Sequence, residues 1–315
     1  MRVFITGGTG LVGTLLVKKL RERGNQVVLL TRRPNAANQF VGSDCTVVTG
    51  DPTVPGAWMD AITGCDAVVN LAGEGIFNRR WSQEFKDLIA SSRIKSTQNV
   101  VAALGKSSSL LPSGGEGPGV RGRVLINASA IGYYGPHQDE VLTEDALAGN
   151  DFLAQTCVDW ERAAETAIAH GVRVVLLRTG IVLEKGGGAL AKMLTPFKMF
   201  VGGPVGSGKQ WMSWIHNEDE VGLILFALDH PELSGPLNAV APSPVTNKEF
   251  GKALGTVLGR PSFFPTPGFV LRVALGESAQ IVTTGQRVAP TKALAAGYSF
   301  KFADLEAALR DLLTK

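Results

Sequence analysis

The chain opens on a short apolar strand, a glycine-studded turn and an amphipathic helix, and no other stretch limits its fold as tightly. Residues 2–6 (RVFIT) lead into Thr6-Gly7-Gly8-Thr9-Gly10-Leu11-Val12-Gly13. Leu11, Val12, Leu15, Leu16 and Leu20 then recur at three- and four-residue steps, the period of one helix face. Lys18, Lys19, Arg21 and Arg23 load the last turns, where the helix dipole favours positive charge, and Gly24 marks the stop. Gly7-x-x-Gly10-x-x-Gly13 between a strand and a helix is the spacing of a dinucleotide-binding turn. Gly7 and Gly10 let backbone N–H groups approach a pyrophosphate, and Gly13 lets the helix pack closely on the strand. Thr9, Leu11 and Val12 share that turn and are expected cofactor contacts with the three glycines.

The pattern repeats downstream. Further strands are expected at 26–31, 45–49, 66–71, 123–128 and 173–178, with helical stretches at 81–104 and 151–170. Strands alternating with helices imply β-α-β units, hence an α/β, Rossmann-type doubly wound parallel sheet with helices on both faces. Residues 105–122 are rich in Gly, Ser and Pro and read as a surface loop inserted before the fifth strand. Beyond about 180 the alternation loosens into a second glycine-rich stretch at 186–210, a helix at 245–259, a linker at 261–268 and helices after 269. The expected organisation is a nucleotide-binding domain over 1–240, with 180–220 contributing to the cleft, and a small substrate-side lobe over 241–315.

Composition excludes several classes. Lys plus Arg is 31 and Asp plus Glu is 28, too even a balance for nucleic-acid or membrane-surface binding. No apolar run approaches the ~18 residues of a membrane span, and the longest, LILFAL at 223–228, reads as a core helix. Three cysteines and four histidines lie scattered, so neither a disulfide framework nor a metal site is expected. The location expected is cytoplasmic, or the plastid stroma if a transit peptide has been removed.

The end of the second strand selects the dinucleotide. NAD binders place an acid there for the ribose 2′-hydroxyl, whereas this chain reads Leu30-Thr31-Arg32-Arg33-Pro34. Two arginines suit a 2′-phosphate, so NADP(H) is expected. Asp51, after the third strand, is either an adenine contact or a turn cap. Leu71, Ala72 and Gly73, after the fourth, are expected beside the cofactor's ribose and phosphates.

TGGTGLVG, NLAG, Ser129-Ala130-Ile131-Gly132-Tyr133-Tyr134-Gly135 and Trp214-Ile215-His216-x-x-Asp219 together resemble an extended, atypical short-chain dehydrogenase/reductase. With Asp151-Phe152-Leu153-Ala154, Gly202-Gly203-Pro204 and Gly285-Gln286-Arg287-Val288, the resemblance narrows to the sugar-nucleotide-epimerase-like family that includes cell-division-inhibitor-like proteins of plastids and bacteria. It implies NADP(H), a Rossmann-type sheet, a small-molecule substrate and, through the division link alone, a division-machinery partner.

The resemblance also exposes gaps. The wider superfamily uses a Ser, a Tyr and a Lys, with Tyr-x-x-x-Lys on the helix after strand five. Here Leu153 aligns with the tyrosine and Cys157 with the lysine, and no Tyr-x-x-x-Lys occurs in the chain. Ser129 and Tyr134 remain as the candidate catalytic pair, with Tyr133, Cys157, Trp211, Trp214 and His216 as candidate cleft residues. Glu161 reads as a solvated helix-face residue. Met212 stands where epimerases often carry a diphosphate-clamping arginine. Gly203-x-x-x-x-Gly208-Lys209 nearly spells a P-loop but ends in Gln210, so no ATP site is read. Two functions stay open: an NADP(H)-dependent oxidoreductase or epimerase with an unusual acid, and a non-catalytic NADP(H)-binding regulator. An open polar cleft at Ser129, Tyr134 and His216 would support the first, and packed side chains there the second.

Overall fold

The computed structural model describes residues 1–108 and 122–314. The first half alternates strand and helix: β1 (Arg2–Thr6), α1 (Leu11–Glu22), β2 (Gln26–Thr31), α2 (Pro34–Ala37), β3 (Cys45–Thr49), β4 (Ala67–Asn70), α3 (Gln83–Ser108), β5 (Val124–Ala130), β6 (Val141–Leu142), α4 (Phe152–Glu165) and β7 (Arg173–Thr179). Shorter elements follow: β8 (Ile181–Leu183), α5 (Gly188–Lys198), β9 (Trp211–Met212), β10 (Trp214–His216), α6 (Asn217–Asp229), β11 (Gly235–Ala239), β12 (Val245–Thr246), α7 (Asn247–Leu258), α8 (Gly268–Leu275), α9 (Gln280–Thr283), β13 (Arg287–Val288), α10 (Thr291–Ala295) and α11 (Leu305–Leu313).

Seven strands form one sheet in the order β11-β7-β5-β4-β1-β2-β3, and every pair in it is parallel. Side chains alternate across it, so β1 sends Val3 and Ile5 to one face and Phe4 to the other. On the first face they meet Leu16 and Leu20 of α1 and Ile224 of α6, and on the second face Val100 and Leu104 of α3 and Ala164 of α4. Burial on both faces is why these strands read as continuous apolar runs. Chain order reverses between β1 and β4, and such a switch point opens a ligand crevice at the carboxyl ends of the strands.

The sheet departs from expectation at one edge. Its seventh strand, β11, was not foreseen: GPLNA is poor in strand-forming residues, yet Leu237 pairs with Leu177 of β7 and is buried. The helical stretch expected at 151–170 is α4 plus a tighter 3₁₀ turn over Thr166–His170, ended by Gly171 in the left-handed region. Of the loop expected at 105–122, residues 105–108 instead extend helix α3, and 109–121 lie outside the described residues. Residues 223–228 do fall in a core helix, α6, and among the described residues no helix is long and apolar enough to cross a membrane.

A third apolar cluster joins Leu183, Leu190, Phe197 and Trp214 to Phe250, Leu254, Phe302 and Leu309. The stretch after β7 and the C-terminal helices therefore share one core.

Candidate active site

The glycine turn sits at the switch point. Gly7 has φ of 68°, and a Cβ there would stand 2.7 Å from the Leu71 carbonyl oxygen, so the two loops that border the crevice touch backbone to backbone. Thr6 ties them further: its hydroxyl donates to Asn70 Oδ1 at 2.6 Å and accepts from the Ala72 N–H at 3.2 Å. Gly10 is the N-cap of α1 and offers no side-chain cap, which leaves first-turn amides for a ligand. Gly7, Thr9 and Gly10 thus lie in the first of two adjoining loops, Leu11, Val12 and Gly13 in the first turn of α1 that follows it, and Leu71, Ala72 and Gly73 in the second loop.

Arg32 and Arg33 are both exposed at the end of β2. The nearest ion pair is loose, Arg32 Nη1 to Asp51 Oδ2 at 3.9 Å. Asp51 serves as a turn cap, its Oδ1 accepting from the Thr53 N–H at 2.9 Å and the Thr53 hydroxyl at 2.7 Å. A cradle that a Cβ would fill, uncapped helix amides and two exposed guanidinium groups fit a phosphorylated dinucleotide.

At the end of β5 a closed polar network begins. Ser129 Oγ donates to Glu161 Oε1 at 2.6 Å. Arg178 grips the same carboxylate twice, Nε to Oε1 at 2.9 Å and Nη2 to Oε2 at 2.8 Å. Its Nη1 donates to the Tyr134 hydroxyl and the Glu144 carbonyl, each at 3.1 Å. Tyr134 donates to Asn238 Oδ1 at 2.6 Å, and Asn238 Nδ2 donates to the Ala289 carbonyl at 2.9 Å. Ser129, Tyr134, Glu161, Arg178 and Asn238 are all buried. Burial opposes the Arg178 charge, yet its bonds to Glu161 hold its pKa above the ordinary value. Removing one partner of such a pair would strand the other, which costs about 3–5 kcal/mol.

Helix α4 begins at Asp151, whose Oδ1 accepts from the Ala154 N–H at 2.8 Å. This start directs Leu153 and Cys157 toward the turn after β5: a Cβ on Gly132 would lie 3.5 Å from Leu153 Cβ and 3.9 Å from Cys157 Sγ. The Cys157 thiol is buried and pushed up to about 12 by that burial, with Glu161 adding to the rise and Arg93 opposing it. It is a neutral thiol at pH 7, not a nucleophile.

Several expected site residues have other tasks. Tyr134 is wholly buried, its hydroxyl is committed to Asn238, and burial raises its pKa, so it braces the network instead of meeting a substrate. Trp214 is core, with its indole N–H on the Ser243 carbonyl at 3.0 Å. His216 is buried too: it stacks on Phe302 at 3.8 Å, and its Nδ1 accepts from the Glu218 N–H to cap α6. Its ring lines a groove of about 790 Å³ with Leu15 and Lys18 of α1 and Asp311 of α11, on the α1 side and apart from Ser129. Trp211 is partly buried, bonded to Asp139 and stacked under Arg287 at 4.5 Å. Of the two adjacent tyrosines Tyr133 is the one left partly open, with the Arg178 guanidinium 3.5 Å from its ring centroid.

Glu161 is the opposite of a solvated helix-face residue. Its partner Arg178 and the further members Asn238 and Glu144 were missed because each comes from a different element. The one available signal was Arg178 itself, a lone charge closing the apolar run RVVLLR.

The model for "NAD dependent epimerase/dehydratase family" matches residues 3–240, and a "Domain of unknown function (DUF1731)" model matches 266–312. The Arabidopsis thaliana "Epimerase family protein SDR39U1 homolog, chloroplastic" is 42% identical over 99% of this chain and 87% of its own length. The Bos taurus epimerase family protein SDR39U1 is 39% identical over 99% of this chain and 100% of its own. Human SDR39U1 (isoform2), crystallised with NADPH, superposes with a TM-score of 0.84 at 34% identity, covering 100% of both chains. On these matches the chain belongs to the NAD-dependent epimerase/dehydratase family, with the SDR39U1 proteins among its relatives.

Proposed function

We propose that this protein is an NADP(H)-dependent oxidoreductase of the epimerase type, acting on a small molecule held over the turn after β5. The observation that carries the reading is that the carboxyl ends of β1 and β5, two strands apart in one sheet, carry an uncapped phosphate cradle and a braced polar wall at Ser129. NADPH in the related human structure supports the choice of cofactor. The α1 amides bind the pyrophosphate, and Arg32 and Arg33 bind the 2′-phosphate. The bound nicotinamide supplies hydride-transfer chemistry. Ser129 is held at the crevice by Glu161, and Tyr133 takes the acid role that Tyr134 cannot fill. The Arg178 guanidinium, 3.5 Å from the Tyr133 ring centroid, holds that ring beside Ser129.

Packing of Tyr134 and His216 favours a second reading, a binder without turnover. Titration with NADPH and NADH, followed by a carbonyl-substrate screen at the reduced-nicotinamide absorbance, separates the two. The proposal expects NADPH to bind more tightly than NADH, with the preference lost in Arg32→Ala and Arg33→Ala. Equal affinities insensitive to both changes would sink the cofactor assignment. Binding with no turnover of any carbonyl compound would favour the regulator, and turnover undiminished in Tyr133→Phe would remove Tyr133 from the acid role.

A further inference from the structure

Two guanidinium groups flank the end of β5, and they differ in what they hold. Arg178 spends its donors on Glu161, Tyr134 and Glu144. The guanidinium of Arg93, on α3, makes a single hydrogen bond among the described residues, from Nη1 to the Ile89 carbonyl at 2.9 Å. An arginine has five N–H donors. Among the described residues no carboxylate reaches ion-pair distance of Arg93; Glu74 acts on its charge only through space. The side chain is partly buried beneath the loop after β4: a Cβ on Gly73 would stand 3.2 Å from its Cγ and 3.3 Å from its Cζ. Its guanidinium carbon lies 5.3 Å from the Trp160 ring centroid, and its charge bears on the Cys157 thiol. Gly73, Cys157 and Trp160 place it on the floor of the crevice, between the cofactor loops and α4.

A guanidinium set over an indole ring, with most donors unspent among the described residues, is organised for an oxyanion. The dinucleotide does not need it, because the α1 amides and Arg32 with Arg33 already serve its phosphates. A nucleotide-sugar diphosphate is poorly served on the far side, where Met212 is buried against Asn247. We propose that Arg93 is a substrate-binding residue, which grips the carboxylate or phosphate group of a small carbonyl or hydroxy compound between Gly73 and Cys157. The assignment of that group to the substrate rests on the cofactor reading above; the anion site itself does not.

The test uses the full-length protein, wild type, R93K and R93Q. Malonate and inorganic phosphate are the anion probes, measured by calorimetry with and without NADP⁺, and NADPH binding is followed by nicotinamide fluorescence. The expected result is anion binding that weakens about tenfold or more in R93Q and less in R93K, with NADPH affinity unchanged within about twofold. Unequal losses for malonate and phosphate tell which anion the substrate carries. Anion affinity equal in wild type and R93Q, or no binding of either probe by the wild type, overturns the proposal. A parallel loss of NADPH affinity would give Arg93 to the cofactor and overturn the substrate assignment. Wild-type protein that ignores NADPH but binds the probes through Arg93 would remove the cofactor reading and leave the anion site. If R93Q does not fold, the charge-retaining R93K decides: affinity equal to wild type rejects the guanidinium fork.

Discussion

Glu220 lies buried near the start of α6, accepting from the Thr179 hydroxyl at 2.7 Å through Oε1 while Oε2 has no partner among the described residues. Burial pushes its pKa from 4.5 to about 8. At pH 7 the folded protein keeps this carboxyl protonated, whereas the unfolded chain has released the proton. Between those two values the folded state binds more protons, so stability falls as pH rises. The contribution is fully present below 4.5 and is lost on the way to about 8. Glu220→Gln cannot ionise, and its thermal midpoint should therefore gain on the wild type steadily from acid to mildly alkaline pH. A gap between the two proteins that stays constant across that range would contradict the assignment. Nothing at position 220 in the sequence announces this, for an acid in a first helical turn needs no explanation beyond the helix dipole. Tyr134 misled for the same reason. Its hydrogen-bond partner Asn238 is 104 residues away, on a strand the apolar pattern did not reveal.

Elements were legible where one physical term dominated. The expected bounds of β1, β2 and β3 coincide with the observed ones because each is a continuous apolar or β-branched run set off by glycine or polar residues. The two-residue strands β6, β9, β12 and β13 carry no periodicity at all, and tertiary contacts alone define them. The turn between β1 and α1 was the most legible element, since its glycines answer to sterics. A Cβ at Gly13 would drive into the Gly7 carbonyl oxygen and stand 2.5 Å from Gly8 Cα. Those are backbone atoms, which cannot rotate away. Gly13→Ala should therefore shift the α1 N-terminus off the cradle, with a stability loss of about 1–3 kcal/mol and a larger proportional loss in NADPH affinity. Calorimetric titration beside thermal melts would check this. Full NADPH affinity in Gly13→Ala would mean that the turn does not hold the phosphates.

At the scale of the molecule, one buried carboxylate ties the sheet to the C-terminal segment. Asp219, in the first turn of α6, accepts from the Lys301 N–H through Oδ1 and from the Phe302 N–H through Oδ2, each at 2.8 Å. The Tyr298 hydroxyl adds a bond to Oδ1 at 3.2 Å, and Phe302 closes the contact by stacking on His216. His216 and Asp219 stand in one motif of the sequence, and the two do act together, as a clasp on a segment some eighty residues downstream. That role was invisible because the third apolar cluster is assembled from both sides of α6, and no local pattern says that Trp214 will meet Phe302. Helix α6 packs on α1, whose N-terminus is the phosphate cradle, so the clasp connects the cofactor side of the fold to the C-terminal helices. Asp219→Ala would strand the amides of Lys301 and Phe302, each at about 1–3 kcal/mol when left buried without a partner. The segment around 298–304 should then open locally well below the temperature at which the sheet melts. Limited proteolysis should cut it there first, while hydrogen exchange in β1, β4 and β5 stays slow. Cleavage no faster than in the wild type, or exchange rising equally in sheet and tail, would show that the clasp is not what holds the two parts together.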